Sequence, residues 1–505
     1  MVQRLRCVGP TATLSLLTLI LGSLAAVGLW LQPQSRSSSD TAGRGNRRID
    51  EQSWRGGHFR GRRSREGANV KFNLCAWLGP ALALPLLAVA CEEGGRPTLP
   101  PPPSAELEGF LAVANFSTAG PGAEPGVGAR LKVIDAVTGQ STDLGDINSS
   151  CFSWSPDGRR LAYGGKEGLF VATFPGGAVQ EVAGLPPASK FNCPRAWSPD
   201  GNRFLFLAIP AGEEEPSLWV ASPQGETPRE LIAATATEGI GGGYWLSDGR
   251  RLIAVTQGEG DMGRIIIVNG ETGAIEQTYA PGGMLLGVAV RNDDVIAAGV
   301  GLPTGSPGLT PSAKEEEDEV RHVVVTVDPK AGQMTQLIDG AIEPEWSPDG
   351  GHILALRPKS APGPNELVVM QSDGTGEQSL LPEGAASGMG AWTPDGAFLV
   401  VASISATGKT TTVSTYNWSR PGGLGERVSS VEVSGFPAAF GLVAPAALQD
   451  LLSPSGGHMA VMRETGVAPT GGWQPTELLI IDLRNGDVRE TGEEGVLAGV
   501  AWSPR

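Results

Sequence analysis

The sequence predicts an all-β fold, a β-propeller of four-stranded blades, and three observations carry that expectation. The 505 residues include 72 Gly and 40 Pro, about a fifth of the chain against roughly 12% in average usage. A Trp followed by a Ser-Pro-Asp-Gly turn recurs along the chain, with apolar strand-like runs at matching offsets after each copy. Charged residues are 18% and apolar residues 40%. The low charge and missing helical repeat exclude a long coiled coil, and the apolar content excludes wholesale disorder.

The repeat reads Trp154-Ser-Pro-Asp-Gly158, Trp197-Ser-Pro-Asp-Gly201, Trp245-Leu-Ser-Asp-Gly249, Trp346-Ser-Pro-Asp-Gly350 and Trp392-Thr-Pro-Asp-Gly396. Leu452-Ser-Pro-Ser-Gly456 is a worn copy, Trp502-Ser-Pro-Arg505 a partial one, and Val290-Arg-Asn-Asp-Asp294 stands where a copy is due. Successive copies lie 43, 48, 45, 56, 46, 60 and 50 residues apart. In each turn Pro presets φ, Asp bonds nearby backbone, and Gly takes the position that needs positive φ. A strand follows, for example Phe204-Leu-Phe206 or Ile353-Leu-Ala-Leu356, and after a variable loop another, such as Leu218-Trp-Val220 or Leu367-Val-Val-Met370. A Gly-containing turn and a more polar fourth strand close the unit. One such turn is any β-turn; five with the same flanking strands are a repeat architecture.

These residues resemble the WD40-like repeats of TolB-type propellers over about residues 107–505. The resemblance implies a fold and leaves function open, because such propellers serve as binding platforms, as gating domains of proteases and as enzymes. Seven complete units begin between about 150 and 447. The inner strand Val496–Trp502, joined to Phe110–Val113 and Leu131–Asp135, would make an eighth blade from the two ends. Eight blades with terminal closure are therefore expected, seven being the alternative; TolB itself has six.

The first hundred residues read differently. Residues 11–31 are uncharged and apolar, long enough to span a bilayer, and an Arg-rich stretch without apolar periodicity follows. A second apolar segment ends Leu87-Ala-Val-Ala-Cys91 before Glu92. Small residues before a Cys resemble a bacterial lipobox, with Ala88 where Leu is usual, and the resemblance implies lipidation of Cys91. Residues 70–91 then form a lipoprotein-type signal peptide and 92–106 a Pro-rich tether. Residues 1–69 are expected to be an upstream extension, the alternative being a two-pass anchor with the Arg-rich loop in the cytoplasm. Either way the propeller is exported to the cell envelope.

Charge is split along the chain. Residues 1–90 carry 12 Lys+Arg against 4 Asp+Glu, net +8, and the rest 26 against 50, net −24. So acidic a domain repels phosphate backbones, so nucleic acid is not an expected partner. Gly258–Gly263 matches G-x-G-x-x-G, but a strand follows it where a dinucleotide site needs a helix. Gly408-Lys409-Thr410 imitates the end of a phosphate loop between two strands. There is no G-x-S-x-G elbow. Of His322, His352 and His458, the last two take equivalent places after turns, which the repeat explains better than a metal does.

The expectation is thus a monomeric, non-enzymatic binding platform without cofactor or metal. Its partner would be an envelope protein, peptide or glycan, with the membrane held through the lipid anchor. The alternatives are a lyase or hydrolase with carboxylates in the central funnel, and a sensor or structural domain of an envelope complex. Recognition is assigned to the loops between second and third strands, where Glu213, Glu214, Glu215, Glu315, Glu316, Glu317 and Trp473 suit a basic partner with an apolar anchor. Cys151 and Cys193 are expected to pair as a disulfide. They enter neighbouring inner strands 3 and 4 residues before Trp154 and Trp197, and an exported protein keeps such a bond.

Overall fold

The computed structural model describes residues 106–116, 129–166, 168–185, 192–235, 238–258, 262–303, 320–358, 365–419, 423–434, 445–466 and 475–504. Twenty-nine strands among them form antiparallel meanders in sequence order. The first are β1 (Phe110–Phe116), β2 (Ala129–Asp135) and β3 (Ser141–Trp154), then β4 (Arg160–Gly165), β5 (Gly168–Thr173) and β6 (Ala178–Glu181). Next come β7 (Asn192–Trp197), β8 (Phe204–Ala208), β9 (Ser217–Ala221) and β10 (Arg229–Ile232). The following sheet is β11 (Glu238–Trp245), β12 (Arg251–Gly258), β13 (Gly263–Asn269) and β14 (Ile275–Tyr279). After it stand β15 (Met284–Val290), β16 (Ile296–Leu302), β17 (Arg321–Asp328) and β18 (Gln333–Asp339). Then follow β19 (Ile342–Trp346), β20 (His352–Arg357), β21 (Glu366–Gln371) and β22 (Gln378–Ser379). The last are β23 (Ala385–Trp392), β24 (Phe398–Ser405), β25 (Thr410–Ser419) and β26 (Gly423–Ser434), then β27 (His458–Glu464), β28 (Thr476–Asp482) and β29 (Val488–Trp502).

Two strands do double duty. The first half of β3 pairs with β2 and its end, Phe152–Trp154, pairs with β4. Likewise β29 pairs with β28 through Val488–Gly495, and with β1 through Val496–Trp502, Leu111 standing opposite Trp502.

The middle strands, such as β8, β12 and β16, are buried on both faces, as they must be when each sheet is covered on both sides, while fourth strands such as β6, β14 and β22 are largely exposed. Apolar clusters lie between consecutive meanders. One joins Leu131 and Val133 to Leu161 and Tyr163, and the next joins Leu169 and Val171 to Phe204 and Phe206. Others join Leu205 to Leu252, Ile253 to Val300, Val324 to Ile353, and Leu354 to Leu399. The largest runs from Val400 through Val461 and Leu478 to Leu111 and Trp502. Face-to-face stacking of successive four-stranded meanders is β-propeller architecture.

The repeat residues account for the stacking. Each Trp closes the inner strand of its meander, and in three of them the indole N–H reaches back to the preceding one. Trp197 donates to the Ser153 carbonyl at 2.9 Å, Trp245 to Ala196 at 3.2 Å and Trp154 to Ala501 at 3.2 Å. The acceptor in each case immediately precedes the previous Trp. From the other side a cation covers the next ring, from two residues past the turn Gly in Arg160 and Arg203 and from inside the irregular copy in Arg291. Arg160 lies 5.2 Å over Trp197, Arg203 4.9 Å over Trp245 and Arg291 4.7 Å over Trp346. His458 takes the same place and stacks on Trp502 at 6.4 Å, so this imidazole belongs to the scaffold.

Inside the turn, Ser198 donates its hydroxyl to Asp200 at 2.6 Å and accepts the Arg203 N–H at 3.0 Å. Ser155/Asp157, Ser347/Asp349 and Thr393/Asp395 repeat the arrangement. Where the copy is missing, Asp294 occupies the Gly position with φ 76°. Its buried carboxylate accepts the Ser247 N–H at 2.7 Å and is 3.3 Å from the Lys330 ammonium. A side-chain contact there replaces what the standard turn supplies elsewhere.

One expected inner strand is different. Before the worn copy at Leu452 the chain forms a 3-10 helix, Pro445–Leu451, and only the bridge Leu452–Met459 remains of the pairing. Pro445 has no N–H for a ladder, and the Ala-Ala-Leu that follows favours helix over strand.

Replacing Trp245 by Phe removes the bond to Ala196 and weakens the Arg203 contact. The expected loss is about 1–3 kcal/mol of stability, seen as a lower urea midpoint. Ile275→Ala, at a side chain 57% exposed, should leave the midpoint nearly unchanged.

Candidate functional site on the inner strands

Glu213, Glu214 and Glu215 lie in the loop between β8 and β9 and are exposed. Cys91, Glu315, Glu316, Glu317 and Trp473 lie outside the described residues. Cys151 and Cys193 are disulfide-bonded, with Cα atoms 5.1 Å apart. That separation is within ordinary disulfide range, and it is reached because β3 and β7 are adjacent inner strands. Among the described residues, Gly258 ends β12 and Gly263 begins β13, so the G-x-G-x-x-G match is a strand-to-strand connection.

A different group of residues stands out when the inner strands are aligned on the Trp of each repeat. The position just before it is Ser153, Ala196, Tyr244, Ala289, Glu345, Ala391, Leu451 and Ala501. The position before that is Phe152, Arg195, Gly243, Val288, Pro344, Gly390, Asp450 and Val500. Nearly all are small or apolar, which suits a crowded centre. The exceptions are Arg195 on β7, Tyr244 on β11, Glu345 on β19 and Asp450 in the 3-10 helix. Glu343 stands two residues before Glu345.

These side chains are poorly paired. Glu345 is 1% exposed and neither carboxylate oxygen has a hydrogen-bond partner among the described residues. Glu343 is also buried, its Oε2 is unpartnered, and its backbone has φ 50°. The conformation is held from outside: a Cβ on Gly287 would stand 2.7 Å from the Glu343 Cα, and one on Gly299 2.7 Å from its N. Only glycine at both positions lets β19 press this closely on the neighbouring sheet. Strained, unpaired polar groups cost stability and cluster at functional sites.

Burial sets the protonation of the group. It pushes the Glu343 and Glu345 carboxyls up to about 8. Asp450 is exposed, so contact with water opposes the upward push that surrounding protein gives its carboxyl. Burial brings Arg195 down to about 10 and raises Tyr244 to about 12. At neutral pH the inner strands therefore carry two separate sets of groups, protonated or proton-exchanging carboxyls on β19, and a neutral phenol on β11 with a charged guanidinium on β7. The carboxyls can donate hydrogen bonds, accept them and move protons. The sequence reading passed over these residues because none belongs to a local motif. Counting back from each Trp was the signal that would have found them.

No protein-family profile matches the chain, and no curated protein matches it in sequence. Among solved structures it is similar to an oligogalacturonate lyase in complex with manganese, at 16% identity over 58% of this chain and 75% of that one, TM-score 0.41. It is similar to TolB from Acinetobacter baumannii at 18% identity over 55% and 65%, TM-score 0.32. It is also similar to the β-propeller domain of the Trilobed protease from Pyrococcus furiosus, at 14% identity over 75% and 96%, TM-score 0.40. At such identities and scores none of these likenesses transfers an activity.

The protonation states give a sign to the pH dependence of stability. Between about 4.5 and 8 the unfolded chain has lost the protons that folded Glu343 and Glu345 keep, so stability falls as pH rises. The turn aspartates act oppositely. For Asp200 burial works against ionisation but is outweighed by the Ser198 hydroxyl and other bonds, which hold the carboxyl below its usual value. Their contribution is present above about pH 4 and lost as pH falls further. Glu345→Gln should therefore flatten the decline in melting temperature between pH 5 and 8 and leave the acid limb unchanged.

Proposed function

We propose that residues 107–505 form an eight-bladed propeller, closed by strands from both ends of the chain, that serves as a binding platform at the cell envelope. The pairing of β1 with the second half of β29 supports that closure, as does the apolar cluster running from Val400 to Leu111. The chain is exported and tethered through a lipid on Cys91, and it acts as a monomer. Support for export comes from the disulfide between Cys151 and Cys193, a bond that cytosolic reductants remove. No helix among the described residues is long and apolar enough to cross a membrane.

The observation that carries the binding reading is the contrast between the two kinds of connection. The Ser-Pro-Asp-Gly turns are tight and internally bonded, whereas the loop between β8 and β9 presents Glu213, Glu214 and Glu215 to solvent. Exposed loops on a rigid scaffold are where recognition usually sits. A protein, peptide or glycan with basic groups is the complementary partner. The Glu315–Glu317 run and Trp473, expected in loops of the same kind, lie outside the described residues.

The test is an envelope pull-down with the full chain as bait. Reversing Glu213, Glu214 and Glu215 to Lys should cut partner recovery about tenfold, while Glu271→Lys, on a turn between third and fourth strands, should not. The opposite pattern would place recognition on the turn face. Mass spectrometry of the native protein should find a mature chain beginning at a lipid-modified Cys91; an unmodified Cys91 still joined to Ala90 would overturn the anchor.

A second reading, a lyase or hydrolase, is favoured by the unpaired carboxyls of Glu343 and Glu345. Any glycan- or peptide-cleaving activity of the purified chain should then disappear in Glu345→Gln. Activity that survives the substitution would remove these carboxyls from the chemistry.

A further inference from the structure

Glu343 holds a carboxyl that the fold closes on one side only. The residue is 9% exposed. Its Oε2 is sealed and unpartnered, whereas Oε1 is not among the sealed atoms and makes no hydrogen bond or ion pair among the described residues. One oxygen of this buried side chain therefore stays in contact with water. Glu345, two residues on, has both oxygens sealed. The two carboxyls thus differ in the property that a ligand needs, which is access.

Backbone holds the stem of the side chain in place. A Cβ on Gly287 would stand 3.3 Å from both the Cβ and the Cγ of Glu343, and one on Gly299 3.0 Å from the Ile342 Cα. The glutamate thus lies against β15 and β16, and moving it means moving a sheet. No charge is placed to meet its carboxyl. β15 and β16 carry none. β17, β20 and the 3-10 helix, which also touch β19, bring Arg321, His322, Asp328, His352, Arg357 and Asp450. None of them acts on Glu343, whose carboxyl is raised by burial alone.

We propose that Glu343 anchors a site for an alkylammonium group, a lysine side chain or a free amine, held by an ion pair to Oε1. The choice follows from the access. One reachable oxygen offers no purchase to the two-pronged grip of a guanidinium, whereas an ammonium is a compact point charge. A divalent cation needs several oxygen ligands, and among the described residues no three His, Cys, Asp or Glu side chains converge to hold one. Without ligand the carboxyl keeps its proton at neutral pH, because burial pushes it up to about 8. Binding releases that proton to solvent and leaves carboxylate against ammonium. β19 begins on the side of the sheets where the loops between second and third strands lie, so a partner gathered by those loops shares a face with Glu343. The site goes beyond both readings above and requires neither, because a free amine tests it.

The experiment titrates the full chain, purified in detergent, with n-butylammonium, n-butylguanidinium and an end-capped peptide bearing one lysine, at constant ionic strength, following the melting temperature. Butylammonium should raise it saturably, and butylguanidinium should bind about tenfold more weakly or not at all. Apparent affinity for butylammonium should rise about tenfold from pH 6 to pH 7 and level off above about 8, as the carboxyl gives up its proton. The response should vanish in Glu343→Gln and survive in Glu345→Gln, whose site is sealed. The pH profile of the wild type keeps the test decisive if the Glu343 variant does not fold. A response to the peptide as well assigns the site to a lysine side chain, and one to butylammonium alone assigns it to a free amine; both support the proposal. No saturable response in the wild type, an equal response to butylguanidinium, an affinity that does not change between pH 6 and 8, or an undiminished response in Glu343→Gln overturns it.

Discussion

The structure depends on the bond from an indole N–H to the backbone carbonyl of the preceding sheet. Stacked sheets have no ladder hydrogen bonds between them, and apolar contact alone leaves their sliding weakly specified. A Trp at the end of an inner strand supplies direction. Its ring fills the crevice between two sheets, and its one donor must find an acceptor there. Trp154, Trp197 and Trp245 each find the carbonyl immediately preceding the previous repeat position. A shift of either strand by one residue would strand a buried donor and turn every side chain to the wrong face. The cation or imidazole over the next ring adds about 0.5–2 kcal/mol per contact, and it couples each turn to its successor.

That arrangement consumes the residues that look most chemical. The Ser, Asp and Trp of each copy, with Arg160, Arg203 and His458, are engaged in turns and stacking. Functional groups must therefore be sought where the repeat is broken. Trp346 and Trp392 are the two repeat indoles whose N–H is buried without a partner among the described residues. Trp346 ends β19, the strand that carries Glu343 and Glu345, and Trp392 ends β23 in the next sheet. The indole bond made elsewhere is missing there, and β19 also holds the unpaired Glu345.

The fold was legible because its signals are local and repeated. A five-residue turn declares its own conformation, and the spacing between copies counts the strands. The Cys151–Cys193 geometry was legible for the same reason, since both positions are set by their distance to a Trp. The candidate site was not. Arg195, Tyr244, Glu345 and Asp450 are single residues in unlike contexts, brought to neighbouring levels only by the stacking of sheets. Gly287 and Gly299 read in the sequence as weak strand residues; their reason is the close approach of Glu343 from another sheet. The 3-10 helix Pro445–Leu451 was hidden by the worn repeat that follows it.

The unpaired groups also bear on why the inner strands carry charge at all. A guanidinium and carboxyls buried in one fold would lower their desolvation cost by meeting. They do not, because each is fixed to a different strand by a register that the indoles and turns enforce. Arg195 stands on β7, the glutamates on β19, and neither has an ion-pair partner among the described residues. The scaffold is rigid enough to hold the charges apart, and the energy it forgoes remains available to whatever enters between them. This is preorganisation in its plainest form: the cost is met on folding, so a ligand bringing the missing counter-charge gains the whole interaction.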